Sequence, residues 1–189
     1  MTGKVRPARW SAFVIALHWL AAALILELIA HGWIMVHTGM SAATAFDLYQ
    51  WHKSLGFVAL ALTAARILVR AFVTPPAAAP SPLGERRLAA FVQASLTLLT
   101  LLAILAGWLV VSASPLSIPT RFFGLFVIPD IAVPNGALFA RATLAHAVLA
   151  CAIAGLVALH VAGALKHHWI ERDDVLARML PRWLTPSGS

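Results

Sequence analysis

The chain has 189 residues, 61% of them hydrophobic and 11% charged, with a mean hydropathy of +0.86, which excludes a water-soluble domain of this size and points to the bilayer. A net charge of +7 would suit a nucleic-acid binder, but eleven of the fourteen Lys and Arg lie at the N-terminus, within 66–87 and in the tail from Lys166. Basic residues collect on the cytoplasmic side of membrane proteins, so these three regions are expected inside and nucleic acid is not a partner.

The first apolar run, 11–30, follows Lys4, Arg6 and Arg9. It is too long for a signal peptide, no small-residue cleavage site follows it, and it carries His18. Glu27, nine residues after His18, points to the opposite face of that helix, as a proton-handling carboxylate or one hydrogen-bonded within the bundle. His31 lies about 140° away from His18 at roughly 100° per residue and is a poor partner for it; His37 falls in a loop. The second run, 52–72, opens with His52 at the outer surface. "TPPAAAPSPLGE" cannot continue a helix and reads as an inner linker to the third run, 88–111. "SPLSIPTRFFGLFVIPDIAVPNG" is a long outer connection whose apolar middle lies in the interface or caps the bundle instead of forming a fifth span. The fourth run, 143–167, holds His146, His160 and the only cysteine, Cys151, which excludes an internal disulfide. Each run is long enough to cross a bilayer, and Trp10, Trp33, Trp51, Trp108 and Trp169 fall near the run ends as an aromatic belt would. The expected fold is all-α: one domain over 1–189, an integral membrane four-helix bundle with both termini inside.

Fourteen residues separate His146 from His160. That is about 1,400° of rotation, roughly 40° short of four turns, and about 21 Å along the axis. The two imidazoles therefore share a face at two depths. His18 lies near the inner start of the first helix and His52 at the outer start of the second, so depth pairs His18 with His160 inside and His52 with His146 outside. Two facing imidazoles at each of two levels suit bis-histidine ligation of two haems in an apolar bundle. Zinc would need three or four ligands converging on one point. Arg66, fourteen residues after His52 and at the depth of the inner pair, suits a haem propionate. Lys53 follows His52 directly and places a cation at the outer level, where a small anion would be drawn. His167, seven residues after His160, stays on the same face at the inner surface, beside Lys166 and near Asp173, where a quinone headgroup could take a hydrogen bond and a proton. His168 is rotated away and reads as interfacial, though it joins His167 and Lys53 as a candidate for the redox exchange sites.

These residues resemble a known family. "ALHWL" around His18, "WHKSLGFVALALTAARILVR" around His52, the H-x13-H helix and above all "GALKHHWIERDDVLARMLP" are similar to the bacterial cytochrome b561 family, four-helix dihaem membrane proteins. The resemblance covers nearly the whole chain. It implies two b haems with axial ligands at His18, His52, His146 and His160, residence in the bacterial inner membrane, and electron exchange with the membrane quinone pool. It also implies a quinone-linked oxidoreductase, since some members resemble superoxide oxidases that pass an electron from superoxide outside to ubiquinone. The cytochrome b subunits of nickel–iron hydrogenases and formate dehydrogenases have similar helices and give the alternative, an anchor for a larger respiratory complex.

Overall fold

The computed structural model describes residues 9–76 and 81–181; Lys4, Arg6 and the middle of the inner linker lie outside the described residues. Four long helices dominate: α1 (Ala12–His37), α2 (Ala42–Phe72), α3 (Leu83–Ala113) and α4 (Gly136–Lys166). All four are long and apolar enough to cross a membrane. No more than 17% of any span's most apolar window is buried within the protein. Most of what the helices bury is small, namely Ala21, Ser54, Ala59, Thr63, Thr100, Ala103, Ser112, Ala113 and Ala142, with Ile15, Val92, Ile153 and His31 the larger buried side chains. Phe13, Leu20, Leu68 and Leu144 face outward instead. Small residues inside and large apolar ones outside suit helices that pack closely in lipid, where burying leucine against leucine gains little.

The helices run past the hydrophobic windows read from sequence. Ser41 accepts from the Thr44 amide and starts α2 ten residues before His52, so His52 does not open its helix but sits in its fourth turn. Asn135 accepts from Leu138 and starts α4 seven residues before position 143. Pro82 precedes α3, whose first turn takes in Glu85. His37 is the last residue of α1, not part of a loop, and its ring stacks on Trp33 at 3.7 Å. The reason is physical: hydropathy marks where lipid begins, whereas caps and backbone hydrogen bonds decide where a helix begins. A 31-residue helix such as α2 is about 46 Å long against a hydrocarbon core of roughly 30 Å.

α1 packs on α2 and α3 on α4, with α2 and α3 joining the two halves. The connection between α3 and α4 forms a short antiparallel hairpin, β1 (Thr120–Phe122) and β2 (Phe126–Ile128), which caps that end of the bundle, one of the two placements expected of it. It is tied down from below. Ser54 Oγ donates to the Arg121 carbonyl at 3.2 Å and accepts from the Phe123 amide at 3.0 Å. Gln50 donates to the Pro119 carbonyl, Trp108 donates to that of Pro129, and Ser112 accepts from the Ile131 amide. At the opposite end the chain leaves α4 through a single π turn, His167–Glu171. It then folds back on α1, where Trp19 donates to the Met179 carbonyl at 2.7 Å and the Arg9 guanidinium donates to that of Leu180.

Candidate functional site

Two histidine pairs lie inside the bundle. His18 on α1 faces His160 on α4 with ring centres 6.2 Å apart, and His52 on α2 faces His146 on α4, also at 6.2 Å. The depth pairing expected from sequence is thus the pairing the helices make in space. Two imidazoles on opposite sides of one metal atom, with nitrogen–metal bonds of about 2.0 Å and about 1.15 Å from each nitrogen to its ring centre, would have centres roughly 6.3 Å apart. Each pair already has the spacing of an axial ligand set.

The His52–His146 pair, nearer the hairpin cap and expected on the outer side, is the more constrained. His146 Nδ1 lies 2.8 Å from the Ala103 carbonyl, so this nitrogen donates and leaves Nε2 free to ligate. Gly107 makes room for the ring: a Cβ there would meet His146 Cε1 at 3.1 Å and Nδ1 at 3.2 Å. His52 has a buried Nδ1 with no hydrogen-bond partner among the described residues. Beside it stands a third imidazole, His31, whose ring centre is 5.8 Å away and perpendicular to that of His52. The face angle set His31 aside from His18, and the two do not meet, but α1 packs on α2 and turns His31 toward the outer pair instead. Gly56 and Gly163, small residues near the ligand positions on their helices, have open space where a side chain would begin.

Arg66 does reach the inner pair, its Nη2 lying 3.4 Å from His18 Nδ1. Lys53 Nζ donates to the Pro119 carbonyl of the outer cap at 3.4 Å. His167 lies in a charged cluster made by the π turn. Its Nδ1 is 2.6 Å from Glu171 Oε2 and 2.6 Å from Asp173 Oδ2. Lys166 bridges Glu171 at 2.8 Å and Glu85 of α3 at 2.7 Å. Glu85, His167 and Glu171 have the spacing of metal ligands, but the Lys166 ammonium is already bonded to both carboxylates. His168 turns out of this cluster, its ring near Trp169. Asp173 was legible beforehand, whereas Glu85, Glu171, Ala103 and Gly107 were not, because no local pattern marks them.

A membrane bundle holding two opposed imidazole pairs at separate depths has the build of a membrane cytochrome. The family model for prokaryotic cytochrome b561 matches residues 9–182. Cytochrome b561 homolog 2 of Escherichia coli (strain K12) is 33% identical over 175 residues, 92% of either chain. Cytochrome b561 homolog 1 of the same organism is 27% identical over 179 residues, 92% of this chain and 98% of that one. The chain belongs to the prokaryotic cytochrome b561 family, multi-pass bacterial membrane proteins whose cofactor is b-type haem.

Proposed function

We propose that the protein is a dihaem cytochrome of the bacterial inner membrane that moves electrons from a donor on the outer side to a quinone on the inner side. The observation that carries this is the repetition of one ligand geometry, 6.2 Å between ring centres, at the two ends of one bundle. His52 and His146 hold the outer haem, and His18 and His160 the inner. Bound haem supplies the one-electron chemistry; the chain supplies ligation, orientation and the surrounding field. A ligating histidine keeps its second nitrogen protonated, so His18 Nδ1 becomes a donor and releases the Arg66 guanidinium for an anion such as a propionate. The basic inner segments set both termini in the cytoplasm.

At the inner surface His167, backed by Asp173 and Glu171, is placed to bond a quinone oxygen and pass it a proton. At the outer surface Lys53 draws a small anion, with superoxide as the donor that fits. Two superoxide anions then give two electrons and become dioxygen, while one quinone takes those electrons and two cytoplasmic protons to become quinol. The purified protein should contain two b haems per chain by pyridine haemochrome assay, and superoxide should reduce them; one haem per chain, or no reduction, would overturn the corresponding half of the proposal.

A further inference from the structure

Two ionisable residues of α1 have no part in the scheme above, although both stand in the membrane. His31 is 8% exposed, and neither of its ring nitrogens has a hydrogen-bond partner among the described residues. Glu27 lies one turn inward, with Oε1 3.7 Å from His31 Nδ1 and its side chain 58% exposed. It borders a cleft of about 600 Å³ whose other walls are Leu20, Ala23, Leu24, Val58 and Leu62. A carboxylate and an imidazole at this depth are costly unless they act on something. Four residues apart, they share a face of α1, and that face leads to His52.

The two outer ligands also differ in support. His146 has the Ala103 carbonyl behind it, while His52 Nδ1 is buried with nothing. A ligating histidine ordinarily donates its second N–H to an oriented acceptor, and that partner fixes its tautomer and raises its basicity. A straight N–H···N bond of about 2.9 Å between imidazoles, with about 1.15 Å from each nitrogen to its ring centre, puts the centres roughly 5.2 Å apart. The observed 5.8 Å leaves His31 a small shift from making it. The Glu27 side chain, largely free on the cleft side, closes the remaining gap by rotation.

We infer that His31 and Glu27 form an orienting and tuning relay behind His52: His52 Nδ1–H donates to His31 Nε2, and His31 Nδ1–H donates to the Glu27 carboxylate. This rests on the reading of His52 as a haem ligand. The relay does two things. It fixes the His52 ring and tautomer, as Ala103 does for His146. Through the carboxylate it also pushes electron density toward the outer iron, favouring the ferric state and lowering the midpoint potential of that haem alone. His31 and Glu27 are positioning residues, since neither touches the iron.

The test is a redox titration of purified holoprotein carrying Glu27→Gln or His31→Leu, with haem content measured on the same samples. Glu27→Gln keeps the side chain's size and removes its charge. It should keep both haems and raise the outer midpoint by about tenfold in the reduction equilibrium, about 59 mV for one electron, with the inner midpoint unmoved. His31→Leu should shift the same haem in the same direction and change its low-spin electron paramagnetic resonance signal, which reports ligand orientation. Should His31→Leu lose the outer haem through packing, Glu27→Gln still decides the matter. An unmoved outer midpoint in Glu27→Gln, an equal shift of both haems, or loss of haem from Glu27→Gln would each overturn the relay. His52→Ala separates the layers: if it retains the outer haem, the ligand assignment itself fails; if it loses that haem while Glu27→Gln shifts nothing, only the relay fails.

Discussion

The outer and inner histidine pairs share one spacing and almost nothing else. The outer ring of His146 is held by a carbonyl and by the missing side chain of Gly107, and the cap closes the bundle above it. The inner pair has a guanidinium beside His18 and a network of carboxylates and Lys166 at the membrane surface beyond it. Equal spacing suits the same proposed ligation at both levels; the surroundings separate them. A positive charge near an iron favours its reduced form, since reduction removes a positive charge from the site, so in the proposed scheme Arg66 would raise the inner potential. In the proposed scheme the carboxylate relay would lower the outer potential, and the two devices together would slope the path from an outer donor to an inner quinone.

Breaking the ligands should have the largest effect. His52→Ala or His146→Ala should remove the outer haem and leave the inner, while His18→Ala or His160→Ala should do the reverse, each read as half the haem by pyridine haemochrome assay with one set of α-band features lost. Loss of the same haem from His18→Ala and His52→Ala would break the depth pairing.

The next effect belongs to the inner side. His167→Ala should leave both spectra intact but slow reoxidation of the inner haem by quinone about 100-fold, the low end for loss of a positioned proton donor. Stopped-flow mixing of reduced protein with a soluble ubiquinone analogue measures it. Unchanged reoxidation would leave the charged cluster as a structural clamp between α3 and α4. A smaller effect is expected at Gly107. Gly107→Val would drive into the His146 ring and should weaken retention of the outer haem about tenfold while sparing the inner, where Gly163 has open space and tolerates a methyl group.

These contrasts were unequally legible. The shared face of His146 and His160 follows from arithmetic, because 3.6 residues per turn and a rise of about 1.5 Å place them without reference to any other helix, and matching His18 and His52 to them by depth gives the pairs. The outer cap was legible too, in its prolines and its unbroken apolar middle. His31 was set aside as an axial ligand by its angle from His18, and its place beside His52 went unread because that angle says nothing of the side of α1 that meets α2. Gly107 and Ala103 depend on the axial register between α3 and α4, which no local pattern encodes. The cluster around His167 depends on the π turn: Lys166 and Glu171 are five residues apart, and Arg172 with φ 51° then swings Asp173 back beneath the ring. The helix ends were set by Ser41 and Asn135, both residues that favour caps, but the hydropathy windows stopped short of them.

The smallest expected effect sharpens the outer side. Its basic residues are Lys53, Arg121 and Arg141, set against Asp47 and Asp130. Lys53 follows an axial ligand, and its ammonium rests on the Pro119 carbonyl, at the seam between α2 and the cap. Its hydrogen bond goes to a neutral oxygen, and the Asp130 carboxylate acts on it without a direct ion pair among the described residues, so it still adds positive charge where an anion would arrive. Steering by a whole charged cleft raises on-rates tenfold or more, so one lysine among three cations should contribute roughly two- to threefold. In stopped-flow reduction by superoxide, Lys53→Gln should be slower by that factor at low salt. The gap should close as ionic strength rises, because a Debye length of about 30 Å at 0.01 M shrinks to about 8 Å at 0.15 M. Equal, salt-independent rates in the two proteins would remove Lys53 from the approach path. A rate lowered equally at every ionic strength would assign it to the contact with the cap, because a misplaced hairpin slows the reaction without any dependence on salt.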